Sequence, residues 1–421
     1  MKSILILLLL LSFVSYSRKV VASNGNDIIG VGSTSISLGG TGITAPQDAI
    51  SAIFSNPATI CFSSYGRCSE FDISLIAGTP KAEAKIRMCN TTIKSSSDDK
   101  VFPIPAVGLT MPLNHKFPRW SVGIAAGGVS GLGIDYENSE IDQPEFYDFG
   151  PLGKFPLIKG DFAKLKVAKF APSIAFQPSE NFSLGFSSHL NYGSLDLGNG
   201  SSNDYAFGAQ IGMLYKYGDY ISLGATYTSP QEFTYKNVSD LDGDGLKDDL
   251  DLEKPQEIGF GVGFIPLKDL LVFEVDLKWK NWADAKGYDD LDWDNQWIIA
   301  LGAQFKATKK LTIRAGYNYG TIPVRRHDNF VGTSLIMIQD KSLPIYYYET
   351  FRIFGNPAVE EHHASFGIEY KLTERIVFNL SHTHILKADI KERGTDLMGR
   401  PLSIESKVYG KALGIGIALR F

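Results

Sequence analysis

The sequence predicts an all-β protein: a transmembrane antiparallel β-barrel of about fourteen strands with an N-terminal hatch inside its lumen. Three observations carry this. First, the chain ends on Ala412-Leu-Gly-Ile-Gly-Ile-Ala-Leu-Arg-Phe421, with Leu413, Ile415, Ile417, Leu419 and Phe421 on one strand face. Gly414, Gly416, Ala418 and Arg420 take the other face, so one face is apolar and the other small or polar, with period two. Second, the same alternation returns many times along the chain while few segments read as helix, which fits a closed sheet with lipid outside. Third, short turns alternate with long polar loops after about residue 68, the asymmetry of outer-membrane barrels.

The chain of 421 residues has room for one large barrel. Its net charge of −5 gives no reason to expect a nucleic-acid partner. The N-terminus reads as a secretory signal over residues 1–22: Lys2, an apolar run from Ile4 to Val14, and Val20 and Ala22 before a cut at Ser23. That run is too short for a spanning helix, which needs about 20 residues. Arg18 and Lys19 lie unusually close to the cut. Export permits a disulfide, and Cys61 and Cys68 are near enough in sequence to pair, with Cys89 left over; three unpaired thiols are the alternative.

Residues 23–67 do not alternate like a barrel strand and are assigned to a hatch. Gly30 to Gly42 is small and flexible, and Pro46 to Phe54 predicts a short helix stopped before Pro57. About forty residues of this kind would fill a lumen of this size as a plug.

Residues 68–421 form the predicted barrel. The clearest strand sets Phe182, Leu184, Phe186, Leu190 and Tyr192 against Ser183, Gly185, Ser187, His189 and Asn191. The eighth sets Ile258, Phe260, Val262 and Phe264 against Gly259, Gly261 and Gly263. The ninth sets Leu271, Phe273, Val275, Leu277 and Trp279 against Glu274, Asp276, Lys278 and Lys280, four charges expected in a wet lumen. Tyr and Trp near strand ends suit the two water–lipid interfaces. Long connections are expected at 79–102, 129–163, 197–203, 232–255, 281–294, 322–360 and 388–403.

The glycine-rich start, the Asp48-Ala-Ile-Ser-Ala-Ile-Phe segment and Asn56-Pro57-Ala58 resemble the hatch of the outer-membrane long-chain fatty acid and hydrocarbon transporters of the FadL/TodX (OMPP1) family. Phe170-Ala-Pro-Ser-Ile-Ala-Phe, Leu223-Gly-Ala-Thr-Tyr-Thr-Ser-Pro and Ile313-Arg-Ala-Gly-Tyr-Asn-Tyr-Gly are similar to strand motifs of that family. The resemblance implies a fourteen-stranded barrel in the bacterial outer membrane. It also implies passive uptake of hydrophobic small molecules by groove capture, lumen binding and hatch-gated lateral release. Asn56, Pro57 and Ala58 would be the gating element, and Gly127 and Gly128 the place where a kinked third strand opens the wall. Phe421 would be the signal read by the barrel assembly machinery, with outer-membrane lipid as the surrounding partner. A second Asn-Pro-Ala at Asn356 to Ala358 falls in an outer loop and is taken as coincidence.

Two outer loops are unusually apolar, 132–158 and 330–354, and are expected to pack together into a groove for hydrophobic cargo. Arg325, Arg326 or Arg352 could hold an anionic head group. Asp240, Asp242, Asp244, Leu246, Asp248 and Asp251 have EF-hand-like spacing, so an outer-loop calcium ion is expected, structural in role, with no cofactor required. The histidines lack a nucleophile or metal partner at convincing spacing; Glu360 to His363, and His382 with His384, are expected on the outer rim. The protein is therefore read as a non-enzyme. The rival readings are a surface receptor or adhesin on the same barrel, and a lipid hydrolase needing a Ser-His pair at the rim.

Overall fold

The computed structural model describes residues 23–45, 47–62, 69–97, 101–113, 116–267 and 270–421. The predicted signal, Pro46 and Cys68 lie outside them.

The alternation read in the sequence becomes fourteen long wall strands in chain order. They are β1 (Glu70–Met88), β2 (Phe102–Pro112), β3 (Trp120–Asp135), β4 (Phe162–Ser179), β5 (Phe182–Asp196), β6 (Ser201–Tyr217) and β7 (Ile221–Thr228). Then come β8 (Glu257–Leu267), β9 (Leu271–Lys280), β10 (Gln296–Lys306), β11 (Leu311–Gly320), β12 (His362–Lys371), β13 (Ile376–Thr395) and β14 (Pro401–Arg420). Each pairs antiparallel with the next, and β14 closes on β1 from Glu70↔Arg420 to Met88↔Leu402. Closure removes the edges an open sheet would present. Phe421 finishes the seam, its N–H and C=O exchanging 3.0 Å hydrogen bonds with Ser69.

The outward face is the predicted one. Leu413, Ile415, Ile417, Leu419 and Phe421 are all exposed, as are Leu184, Phe186, Leu190 and Tyr192 of β5. Their alternate neighbours are buried: Ser183 and Ser187 are wholly inaccessible. A continuous apolar outer belt of this kind needs a nonpolar solvent, which fits a membrane-spanning barrel.

Three of the expected long loops are largely strand: 232–255 is a hairpin of its own, and 79–102 and 388–403 extend wall strands. β1 continues to Met88 and a hairpin strand, Thr91–Ser96, folds back on it; β13 and β14 stay paired out to Thr395↔Pro401. The polar sequence there lies on ladders that rise beyond the belt, where both faces meet water or loops, so the alternation fades while the hydrogen bonding persists.

The hatch fills the lumen. It contains α1 (Ser33–Ser37) and α2 (Ala49–Ser55), then a turn of 3-10 helix at Pro57–Phe62. α2 begins later than the predicted Pro46 because Asp48 is its N-cap: its carboxylate accepts from Ser51 N–H at 2.7 Å, while Ser51 Oγ returns to the Asp48 N–H. Ile53 and Ile60 pack on Ala125, Ala171 and Ala175 of the wall.

The two apolar outer loops pack against each other, with Tyr346 donating to the Leu157 carbonyl at 2.6 Å and Tyr347 to that of Pro156 at 2.8 Å. The second loop carries a short helix, α3 (Ile345–Thr350), absent from the sequence reading.

Candidate functional site

The site is a vertical series: an outer chamber under the loops, the first hatch residues beneath it, a charged lumen cavity, and the hatch body below. The chamber holds about 310 Å³ and is lined chiefly by Leu132, Ile158, Leu165, Leu195, Leu250, Leu252, Leu291, Ile338 and Leu343. That volume and lining suit a small hydrophobic molecule. Its polar lining includes Glu137, Asp142, Asp161 and Lys159, with the Lys159 ammonium donating to the Asp240 carbonyl at 3.2 Å. Burial, then the carboxylates of Asp142 and Glu137, push Asp161 up from the ordinary carboxylate range. Asn356 of the second Asn-Pro-Ala also lines the chamber.

None of the three arginines proposed as head-group ligands lines this chamber. Arg325 pairs with Asp292 and Asp294, and Arg326 with Asp328. Arg352 is fully buried against Glu349 and Glu392, and its Nε donates to the Leu291 carbonyl at 2.8 Å. His327 joins this network, 2.7 Å from both Glu349 and Asp292. Its hydrogen bond with Glu349 raises its pKa above the ordinary 6.5, against burial and the Arg352 charge. The expected rim histidines divide. His362 bonds the Tyr317 hydroxyl at 2.6 Å, whereas His363 is wholly buried, because its strand position points inward.

Asn26 of the hatch lines the chamber and donates to the Tyr288 hydroxyl at 2.8 Å. Its neighbour Asp27 lines a second cavity, of about 110 Å³, on the lumen side. The stretch Asn24–Ile28 thus stands between the two spaces.

This stretch also occupies a break in the wall. The β2–β3 ladder runs from Pro112↔Ser121 only to Ala106↔Gly127. Beyond it β2 carries Pro103 and Pro105, which have no N–H to give. β3 is irregular between Gly128 and Ser130 on its other side. Side chains close the space instead: a Cβ on Gly128 would meet Ile104 at 2.7 Å, and one on Gly133 would meet the Phe102 ring at 2.2 Å. The hatch supplies the missing ladder, with Asp27 opposite Ser130 and the Gly131 N–H donating to the Asn26 carbonyl at 3.1 Å. Gly127 and Gly128 stand at this break.

Asn56, Pro57 and Ala58 lie against β5 and β6. Asn56 is wholly buried; its amide donates to the Ile43 carbonyl at 2.8 Å and the Met213 carbonyl at 3.0 Å, and its oxygen accepts from Ala58 N–H. Ser183 donates to the Ala58 carbonyl at 2.8 Å. The niche exists because the wall residues there lack side chains. A Cβ on Gly212 would sit 2.0 Å from the Asn56 oxygen, and one on Gly185 would sit 2.3 Å from Ala58 N.

The inward charges of β9 grip the hatch and are not bathed in water. Asp276 accepts from Gly42 and Ile43 N–H, and Glu274 from Thr44 and Ala45 N–H and the Thr44 hydroxyl. Buried carboxylates satisfy hatch backbone donors that would otherwise be orphaned. Asp72 does the same for Ala49 at 2.6 Å.

Of the six calcium candidates, Asp240, Asp242 and Asp244 come together, with one oxygen of each within 4.8 Å of the others. The other three have protein partners, Asp248 accepting from the Leu241 N–H of the same loop at 2.9 Å. Burial raises Asp248, but a 2.6 Å bond from Lys341 brings it below the usual carboxylate range, and Asp251 is held by Lys286 at 2.7 Å from within a hairpin strand. Leu246 donates its N–H to Asp244.

Residues 196–341 match a family described as outer membrane protein transport protein (OMPP1/FadL/TodX). Outer membrane protein P1 of Haemophilus influenzae is 28% identical over 133 residues, 27% of this chain and 29% of that protein; the match spans less than a third of the relative's length. In fold, the Pseudomonas putida toluene transporter TodX superposes with a TM-score of 0.64 over 93% of this chain and 99% of its own, at 17% identity. A Pseudomonas aeruginosa FadL homologue gives 0.63 over 95% and 99%, at 14%. The Ralstonia pickettii toluene transporter TbuX gives 0.62 over 93% and 98%, at 16%.

Proposed function

We infer that this chain, an outer-membrane barrel of the OMPP1/FadL/TodX type, is a passive channel for hydrophobic small molecules. The observation that carries the reading is the apolar chamber under the packed outer loops, floored by hatch residues that also bridge a break in the wall. Cargo leaves water for the chamber, gaining roughly 25 cal/mol for each Å² of apolar surface buried. Movement of the hatch past Asn56 then opens a path between β2 and β3, and the cargo leaves sideways into the membrane. No energy source and no catalytic group is needed. The apolar lining of the chamber supports either long-chain fatty acids or aromatic hydrocarbons as cargo. Calcium in the 240–251 loop is a minor part of this reading, held by Asp240, Asp242 and Asp244 and serving only to stiffen an exposed hairpin.

The test is uptake of radiolabelled fatty acid and radiolabelled toluene by cells producing the wild type or Asn56→Ala. Removing the Asn56 amide leaves two buried carbonyls without donors, at about 1–3 kcal/mol, so uptake should change severalfold while surface abundance stays constant. Cells that take up neither compound faster than barrel-free cells would leave the receptor reading in its place. Ester hydrolysis by the purified protein would instead favour the lipase reading.

A further inference from the structure

The apolar belt does not end in the same way all round the barrel. Over the middle strands its outer edge is aromatic, with Tyr192, Tyr205, Tyr227 and Trp297 exposed there. Such rings suit a water–lipid interface of any head group. The sector where the barrel closes, β13, β14 and β1, has a different edge. Its apolar run stops at the Leu413↔Ala77 pair, and the same outward face then turns basic.

Above that pair β14 directs Lys411, Tyr409 and Lys407 outward, between the buried Ala412, Val408 and Ser406. β1 directs Lys81, Lys85 and Arg87 outward, between the buried Ala82, Ala84 and Ile86. β13 adds Lys391 and Arg393, and the hairpin strand Thr91–Ser96 sets Lys94 opposite Lys85. The register arranges them in rows: Lys391, Glu405, Lys85 and Lys94 across one level, Asp389, Lys407 and Glu83 across the next. The chain as a whole is acidic, at −5, so this concentration of cations is local.

The carboxylates of this face are already shared. Glu405 takes Lys85 at 3.1 Å and Lys407 at 2.6 Å, and Glu83 takes Lys387 at 3.3 Å and the Tyr409 hydroxyl at 2.8 Å. Arg87, Lys94, Lys391 and Arg393 have no ion pair with a described residue. Like charges directly opposite on neighbouring strands destabilise a ladder, and Lys85 with Lys94 is such a pair. A cleft of about 270 Å³ lies over it, lined by Lys85, Lys94 and Lys407 with Glu83 and Glu405. An anion seated there would relieve the repulsion through charge-assisted hydrogen bonds.

The height of the face selects the anion. It climbs from Lys411 to the row of Arg393, Ser403 and Arg87. That is roughly 27 Å of strand at about 3.4 Å per residue, or roughly 19 Å of height at the usual tilt. A phospholipid head-group layer is only about 5–8 Å deep. A glycolipid carries phosphates on sugars that stand above the acyl edge. We propose that this outward face of β13, β14, β1 and the hairpin binds a phosphorylated glycolipid of the outer leaflet, its acyl chains on Leu413 and Ile415 and a sugar phosphate in the cleft of Lys85, Lys94 and Lys407. The site needs only the barrel's place in the outer membrane and is independent of its cargo.

The test uses the purified full-length mature protein in detergent and ranks bound lipid by native mass spectrometry. The probes are bisphosphorylated lipid A, the same lipid dephosphorylated, and phosphatidylglycerol. Wild type should bind the bisphosphorylated form at least about tenfold more tightly than either of the others, a difference charge-assisted pairs can supply. Lys85→Gln, Lys94→Gln and Lys407→Gln together should abolish that preference. Lys306→Gln, Lys309→Gln and Lys310→Gln, around the β10–β11 turn at the other end of the barrel, should keep it. About 1 M salt should erase it in the wild type, a reading that needs no variant to fold. Equal affinity for the two lipid A forms, or a preference that survives the first set of changes or the salt, overturns the site. So does a loss that is the same in both sets. Phosphatidylglycerol binding as tightly as the bisphosphorylated form overturns the glycolipid assignment.

Discussion

In the outer cap, Arg352 is buried almost completely yet faces Glu349 and Glu392, while Arg325 pairs with Asp292 and Asp294 and His327 shares Asp292 with it. In the lumen, four lysines face two carboxylates, and one of those belongs to the hatch. The cap's charged groups all come from its own loops and from β13, so their pairing does not depend on the hatch. The lumen cluster is completed by Asp27, a hatch residue, and so draws its complement from outside the wall.

The sharpest way to break this contrast is Arg352→Leu. It strands Glu349 and Glu392 in the cap, which costs about 3–5 kcal/mol when one partner of a buried pair is removed. The expected result is a large drop in thermal stability and rapid cleavage within 321–361. A variant that melts with the parent would show that the cap does not depend on its charges.

A smaller effect is expected from Gly212→Val, which fills the niche of Asn56 and should cost about 1–3 kcal/mol by overpacking. The hatch should unseat while the wall stays folded. Planar-bilayer conductance should rise, and unchanged conductance would mean that the hatch tolerates another seat.

The cap should also respond to pH through His327. Its folded pKa lies above 6.5, so its stabilising contribution is full below that value and drains as pH rises through the folded one. Asp292, Glu349, Glu392, Arg325 and Arg352 surround it. Loop cleavage should be slower at about pH 5.5 than at about pH 8.5, and His327→Gln should flatten the profile. The smallest effect belongs to calcium: millimolar amounts should slow cleavage at 239–248 only slightly, and Asp242→Asn should remove even that.

Lipid imposes one demand on every wall residue that faces it, so the outward set from Ile73 to Phe421 was legible strand by strand, as were the closing seam and the two apolar loops. The inward set obeys no such common rule. Gly259 and Gly261 of β8 look featureless in sequence; in the fold, a Cβ on either would meet Ile43 of the hatch at 2.8 Å. Lys280 was visible as an inward charge, but its partner Asp27 lies 253 residues earlier in a segment with no period to read. The hatch motif at Asn56 was recognisable, whereas Gly185 and Gly212, which make room for it, were not. A strand's alternation reports only which side it turns to each solvent. What stands on the enclosed side is brought there by chain closure, and only the tertiary structure decides which distant carbonyl, carboxylate or ammonium each lumen residue must satisfy.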